Sequence, residues 1–213
     1  MRAEKCKLSG MKKIVLTGGP CSGKTTVLSV LREAFSGQLC LVPEVATVLL
    51  SGGFPLPGKQ VPWSEEWQAN FEAAVLPVQR SMEDTYKLMA DAKGYQMLIC
   101  DRGILDGAAY TPGGLAHFCA EHRLDLGECL GRYHAVIHLE SLAIADPTNY
   151  GKSGNDQRFE PLDRARQIEM ATREAWAQHP RRVFIEGGKG IEVKILAVMG
   201  LVRKLLDGGE IPA

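Results

Sequence analysis

No apolar run in this sequence is long enough to cross a bilayer, and no apolar stretch follows the short, charged first ten residues. Neither a transmembrane segment nor a signal peptide is therefore expected; Met11 offers a second start site. Net charge is missing too, with 25 Lys and Arg against 25 Asp and Glu. A surface that tracks nucleic-acid phosphates usually carries excess positive charge, so nucleic acid is not expected as the main partner. The cysteines (Cys6, Cys21, Cys40, Cys100, Cys119, Cys129) form no CxxC pair, and several sit inside apolar runs. Reduced, buried thiols in a cytoplasmic protein are the expectation. Cys119 and His122 stand one helical turn apart with His117 nearby, but no second pair at ligand spacing joins them, which argues against zinc. Ser22 and Ser141 lack the surroundings of a catalytic triad. Internal repeats and low-complexity tracts are also missing.

What is present is an alternation. Short apolar runs at 13–17, 39–43, 97–100, 135–139 and 183–185 are too brief for helices, and most are rich in β-branched residues. Without strict in–out alternation, they fit strands buried on both faces of a parallel sheet. Helical patterns separate them, which predicts an α/β fold with a doubly wound, five-stranded parallel sheet. A chain of 213 residues fits one domain, or a domain plus a lid. The expected division is an extension at 1–11, a domain at 12–207 with a lid at about 141–160, and a tail at 208–213.

Ser64 is placed to cap a long helix, with Glu65 and Glu66 in its first turn. Its apolar stripe is Trp67, Phe71, Val75, Val78, Met82 and Met89, and Pro77 predicts a kink or a break. Pro161 opens a further helix running to about His179, with Ile168, Ala171, Ala175 and Trp176 inward. A last helix runs from near Ile191 to before Gly208. Ser51 to Pro62 and Ser141 to Gln157 read as loops of the length that lids and binding loops have. The basic residues Arg2, Lys5, Lys7, Lys12 and Lys13 form either a solvated tail or a weak contact with an anionic membrane.

Gly18-Gly19-Pro20-Cys21-Ser22-Gly23-Lys24-Thr25 fits G-x4-G-K-[ST], the phosphate-binding P-loop. Glycines let successive N–H groups turn toward phosphate oxygens. Lys24 brings a mobile charge to the terminal phosphates, and Thr25 offers a hydroxyl to Mg²⁺. The helix starting near Gly23, through Thr26, adds its N-terminal partial charge. A strand before the motif and a helix after it (Val27, Leu28, Val30, Leu31) supply the required context. The bland alternative is a Gly-rich strand–helix turn. Cys21 fills a position where any small residue is tolerated.

Ligands of such sheets sit beyond the carboxyl ends of the strands. Those ends read Pro43-Glu44, Asp101-Arg102, Glu140 and Glu186, so each strand after the first delivers a carboxylate to one edge. Asp101 is expected to hold Mg²⁺, the alternatives being a helix cap or an ion pair with Arg102. Glu44 is either a general base toward an acceptor hydroxyl or a cap for a helix at 46–50. Arg102 binds an acceptor or phosphate, or forms a structural ion pair. Arg158, at the end of the polar loop, is placed to bring charge to a transferring phosphoryl group; Arg164, Arg166 and Arg173 read as a solvated face. Tyr150 and Asn155 either order the lid or are ordinary loop residues. Phe54 stacks on an acceptor ring or packs its own loop.

LTGGPCSGKTT, VPEVA, CDRGILDGAAY, IHLES and the Tyr150–Glu160 segment (Y-x4-N-x2-R-x-E) together resemble an AAA-type P-loop domain. Its members include the nicotinamide-riboside kinase domain of a bacterial NAD regulator and a eukaryotic GTP- and phosphoinositide-binding signalling protein. The resemblance runs from about Lys12 to Leu206. It implies a nucleoside-kinase-like fold, with phosphate and metal roles for Lys24 and Thr25. It also implies a DR motif at Asp101-Arg102, a lid arginine at Arg158 and a P-E match at Glu44. Two functions are expected from the whole reading. One is Mg²⁺-dependent transfer of the γ-phosphoryl group from ATP or GTP to a small hydroxyl-bearing, nucleoside-like acceptor. The other is a signalling NTPase that binds nucleotide and a partner or lipid headgroup without kinase activity. A ring-forming motor fits poorly, because no C-terminal helical subdomain or arginine finger for a neighbour is evident.

Overall fold

A computed structural model describes residues 11–151 and 160–211. Five parallel strands, β1 (Lys12–Thr17), β2 (Leu39–Val42), β3 (Met97–Asp101), β4 (Ala135–Leu139) and β5 (Arg182–Ile185), form one sheet in the order β2-β3-β1-β4-β5. Successive side chains of a strand point to opposite faces, and the sheet splits its apolar residues accordingly. Ile14, Leu16, Ile99 and Ile137 pack on one face with Val27 and Leu31 of α1 (Lys24–Ala34) and Val198 and Val202 of α8 (Ile191–Leu206). Val15, Leu98, Cys100 and Val136 pack on the other with Phe118 and Trp176. Both faces are covered, which is why the strands read as continuous apolar runs.

The opposite face carries α3 (Glu65–Lys93), a 3₁₀ segment at Ile104–Ala109, α4 (Gly114–Glu121), α5 (Leu126–Gly131) and α7 (Leu162–Ala175); α2 (Val45–Ser51) follows β2. Ser64 caps α3 as expected, accepting from the Trp67 amide at 3.0 Å, a bond that stabilises such a helix by about 1 kcal/mol. Pro77 does not break α3, which runs unbroken to Lys93. The helix after Pro161 ends at Ala175, short of His179, with Trp176 as its C-cap. A single-turn helix, α6 (Leu142–Ala145), opens the segment expected to be a loop from Ser141. Among the described residues no helix is long and apolar enough to cross a membrane.

The buried residues of α3 are Phe71, Glu72, Gln79, Glu83 and Ala90, so the inward face is more polar than its apolar stripe suggests. Glu83 is fully buried between Lys13 (2.9 Å) and Arg132 (3.1 Å), and also accepts from Tyr133 Oη (2.7 Å) and Gln79 Nε2 (3.0 Å). These bonds tie α3 to β1 and to the segment before β4.

Candidate active site

At Gly18 the backbone turns away from β1 with φ +139°, and a Cβ there would lie 2.1 Å from the carbonyl oxygen of Leu139. Only glycine fits. The loop is then fastened from three elements that lie far off in sequence. Glu169 of α7 accepts from the Gly19 amide at 2.8 Å, and its other oxygen meets His138 Nε2 of β4 at 2.8 Å. Burial opposes ionisation of Glu169, yet the bonds from His138 and the Gly19 amide hold its carboxyl below the ordinary value. Ser141 Oγ donates to the Pro20 carbonyl. Lys194 of α8 donates to the Ser22 carbonyl at 2.9 Å and to the Glu140 carbonyl at 2.6 Å. Cys21 sits in the left-handed region at φ 56°, a conformation that costs a non-glycine residue about 1 kcal/mol. The anchors on either side hold it there.

Lys24 crosses this loop. Its ammonium donates to Gly18 O (2.7 Å), Gly19 O (3.1 Å) and Ser22 Oγ (3.0 Å). Its withdrawal from water, and then the charge of Arg102, lower its pKa to about 8. Thr25 and Thr26 follow at the exposed mouth of α1.

Arg102 leaves β3 just beyond the ladder, its amide still bonded to Leu16 O at 3.0 Å, with φ 69°. That backbone turn aims the guanidinium at three acceptors: Glu44 Oε1 (2.9 Å), Asp106 Oδ1 (3.1 Å) and Gly18 O (3.3 Å). Asp106 is the hub that fixes it. Besides Arg102, it accepts from Thr17 Oγ1 (2.5 Å), the Gly103 amide (2.9 Å) and Trp176 Nε1 (3.1 Å). Glu44, at the N-terminus of α2, makes no side-chain cap bond there and instead meets Arg102 and Thr47. Beside them Asp101 has a buried Oδ1 with no hydrogen-bond partner among the described residues, and burial, then the charge of Glu44, raise its pKa to about 6. An orphaned buried carboxylate oxygen at the strand end beside the P-loop strand, with an exposed threonine hydroxyl opening α1, suits a hard cation that takes oxygen ligands and keeps part of its water shell. Thr25 and Asp101 thus fit Mg²⁺.

The P-loop, Asp101, Arg102 and Glu44 therefore meet at one edge of the sheet. The other two strand-end carboxylates do not join them. Glu140 turns to the loop after β5, accepting from the Gly187 amide at 2.8 Å, and Glu186 is exposed. Arg158 and Asn155 lie outside the described residues. Tyr150 Oη donates to the Glu160 carbonyl at 2.9 Å, joining the two ends of that segment.

Next to the Glu44–Arg102 pair opens a cavity of about 810 Å³, walled by α2, the 51–62 loop, α3, the 3₁₀ segment and the start of α7. Phe54 packs edge-on against Phe71 (5.1 Å) and Trp67 (6.2 Å), while Trp67 and Phe71 stack at 4.9 Å. Phe54 thus packs its own loop against α3.

Glu72 also lines this cavity. It is 6% exposed, and burial raises its carboxyl from 4.5 to about 7. Between those pH values the folded chain keeps a proton that the unfolded chain has lost. The contribution of this group to stability therefore falls as pH rises toward 7 and stays low above it, by roughly 3 kcal/mol in all. Glu72→Gln is expected to raise the thermal midpoint at pH 8 and to leave it nearly unchanged at pH 4.5. A stability difference independent of pH, by calorimetry at both values, would contradict this.

None of the curated proteins compared matches the chain. Two solved structures of deoxyadenosine kinase from M. mycoides share its fold. One, with bound dATP, has 13% sequence identity and a TM-score of 0.56 over 91% of this chain and 100% of that one. The other, with the products dCMP and dCDP bound, has 14% identity and a TM-score of 0.53 over 90% and 99%. At such identities the likeness is one of fold, and it establishes the nucleoside-kinase architecture of the sheet. A family model described as an AAA domain matches residues 13–192, most of the chain, and the protein accordingly belongs to the AAA domain family of P-loop NTPases.

Proposed function

We propose that this protein is a Mg²⁺-dependent kinase that moves the γ-phosphoryl group of ATP or GTP to a hydroxyl of a small, nucleoside-like acceptor. The observation that carries the proposal is the pairing of Glu44 with Arg102 at the junction of the P-loop and the 810 Å³ cavity. A protein that only held nucleotide would need no second cavity with a carboxylate at its mouth. The two deoxyadenosine kinase structures, which hold nucleotides on the same fold, lend the reading further support.

In this mechanism the P-loop amides and Lys24 hold the triphosphate. Mg²⁺ held by Thr25 and Asp101 would offset charge on the β- and γ-phosphates. The acceptor lies in the cavity with its hydroxyl toward Glu44. Oxygen attacks the γ-phosphorus, the hydroxyl proton passes to Glu44, and the bond to the β–γ bridging oxygen breaks, so that the electron pair leaves with ADP or GDP. Arg102, locked by Asp106, orients Glu44. Arg158 on the lid supplies charge to the transferring oxygens.

The test is direct. Purified protein, Mg²⁺ and γ-labelled ATP or GTP are incubated with a panel of nucleosides and sugars. Label on the acceptor is the expected result. Nucleotide binding with label released only as inorganic phosphate, or not at all, would overturn the kinase reading in favour of a signalling NTPase.

A further inference from the structure

The acceptor cavity is apolar along much of α3, but it holds a buried carboxyl that the phosphoryl-transfer mechanism leaves unused. Glu72 is 6% exposed. Its Oε1 accepts from Gln68 Nε2 at 2.9 Å, one helical turn earlier. Its Oε2 lies over Gly107, where an added Cβ would come within 2.8 Å of that oxygen and of the Phe118 ring. Glycine at 107 thus leaves room for both side chains. Among the described residues no cation forms an ion pair with Glu72, which feels only the more distant charge of Arg102, in contrast to Glu83 on the same helix, which meets Lys13 and Arg132. A carboxyl withdrawn from water without a counter-charge destabilises a fold, and such groups concentrate where ligands bind.

Beside it stands the stacked Trp67–Phe71 pair, and Trp67 is fixed by its Nε1–H bond to Pro55 O at 2.9 Å. A flat apolar wall next to a hydrogen-bond acceptor suits a planar ring whose edge carries N–H donors.

Resting on the kinase reading, we propose that Glu72 selects the acceptor: it receives the amino edge of a heterocyclic base, so the substrate is an aminopurine or aminopyrimidine nucleoside rather than its oxo counterpart. The ring lies against Trp67 and Phe71, and the sugar hydroxyl reaches Glu44. At pH 8, where Glu72 is mostly ionised, an oxo base turns a lone pair, not a donor, toward the carboxylate. A site built to bond a donor rejects the analogue that lacks it, because its own buried group is then left unpaired.

The experiment pairs bases of equal size and opposite edge, adenosine with inosine and cytidine with uridine, each as ribo- and deoxyribonucleoside. Binding and phosphoryl transfer are measured for the parent and for Glu72→Gln. The parent is expected to prefer the amino member of at least one pair by about tenfold or more in kcat/KM. Glu72→Gln presents both a donor and an acceptor, and is expected to lose that preference while keeping ATP or GTP affinity. Retained nucleotide affinity shows that the variant is folded; as a second variant, Gln68→Glu with Glu72→Gln returns a carboxylate one turn away and is expected to restore part of the preference. Equal use of amino and oxo bases by the parent, or an unchanged preference in Glu72→Gln, would overturn this role for Glu72 while leaving the kinase reading in place. Transfer to no nucleoside at all would bring down that reading itself.

Discussion

Replacing Glu44 by glutamine is expected to lower phosphoryl transfer by roughly 10²- to 10⁴-fold, the usual worth of a positioned general base, with little change in nucleotide affinity. The substitution keeps the size of the side chain and removes its basicity. Its effect on structure is confined, because Arg102 retains Asp106 at 3.1 Å and the Gly18 carbonyl at 3.3 Å when Glu44 can no longer receive its charge. Single-turnover transfer with saturating nucleotide isolates the step. Activity within a few-fold of the parent would remove Glu44 as base and leave it as a partner of Arg102.

Lys24→Ala carries the second large effect. In this structure the ammonium makes three bonds to the loop it crosses, to Gly18, Gly19 and Ser22, and a triphosphate would draw those donors away. A charge-assisted hydrogen bond contributes about 1.5–3 kcal/mol, so affinity for a non-hydrolysable ATP or GTP analogue should fall by about 10- to 100-fold. Transfer should fall further, by about 10²- to 10³-fold, because charge develops on the transferring oxygens. The loop itself should survive, since Glu169, Ser141 and Lys194 hold it without Lys24. Titration calorimetry that finds affinity unchanged would refute the phosphate-binding assignment.

The contiguous and the distant parts of this site differ in how well the sequence reveals them. The P-loop is legible because its chemistry lies in consecutive residues flanked by a strand and a helix. Asp101 and Glu44 are legible for a related reason: the sheet brings strand ends to a common edge, and apolar runs mark where strands end. The same reasoning overreached at Glu140 and Glu186, because a strand end fixes where a residue sits and not which way its side chain turns. What holds the P-loop was hidden. Glu169 reaches Gly19 across 150 positions and Lys194 reaches Ser22 across 172, and no local pattern marks such partners. Asp106 lies within the quoted DRGILDG stretch, yet two of its four bonds, from Thr17 and Trp176, depend on how the 3₁₀ segment folds back on β1 and the end of α7. Glu72 was missed differently. Counting only apolar residues on α3 found the stripe through Phe71, Val75 and Val78. Gln68, Glu72, Gln79 and Glu83 recur at helical spacing as well, and that second, polar stripe was a usable signal.

One helix serves both ligands of the proposed reaction. Ile168 of α7 lines the acceptor cavity, and the next residue, Glu169, grips the Gly19 amide. Any coupling between the two binding events that this shared element carries is reciprocal. By whatever factor an acceptor seated against Ile168 alters affinity for the triphosphate, the triphosphate must alter affinity for the acceptor by the same factor. The order in which the two are added then changes the path but not the final occupancy.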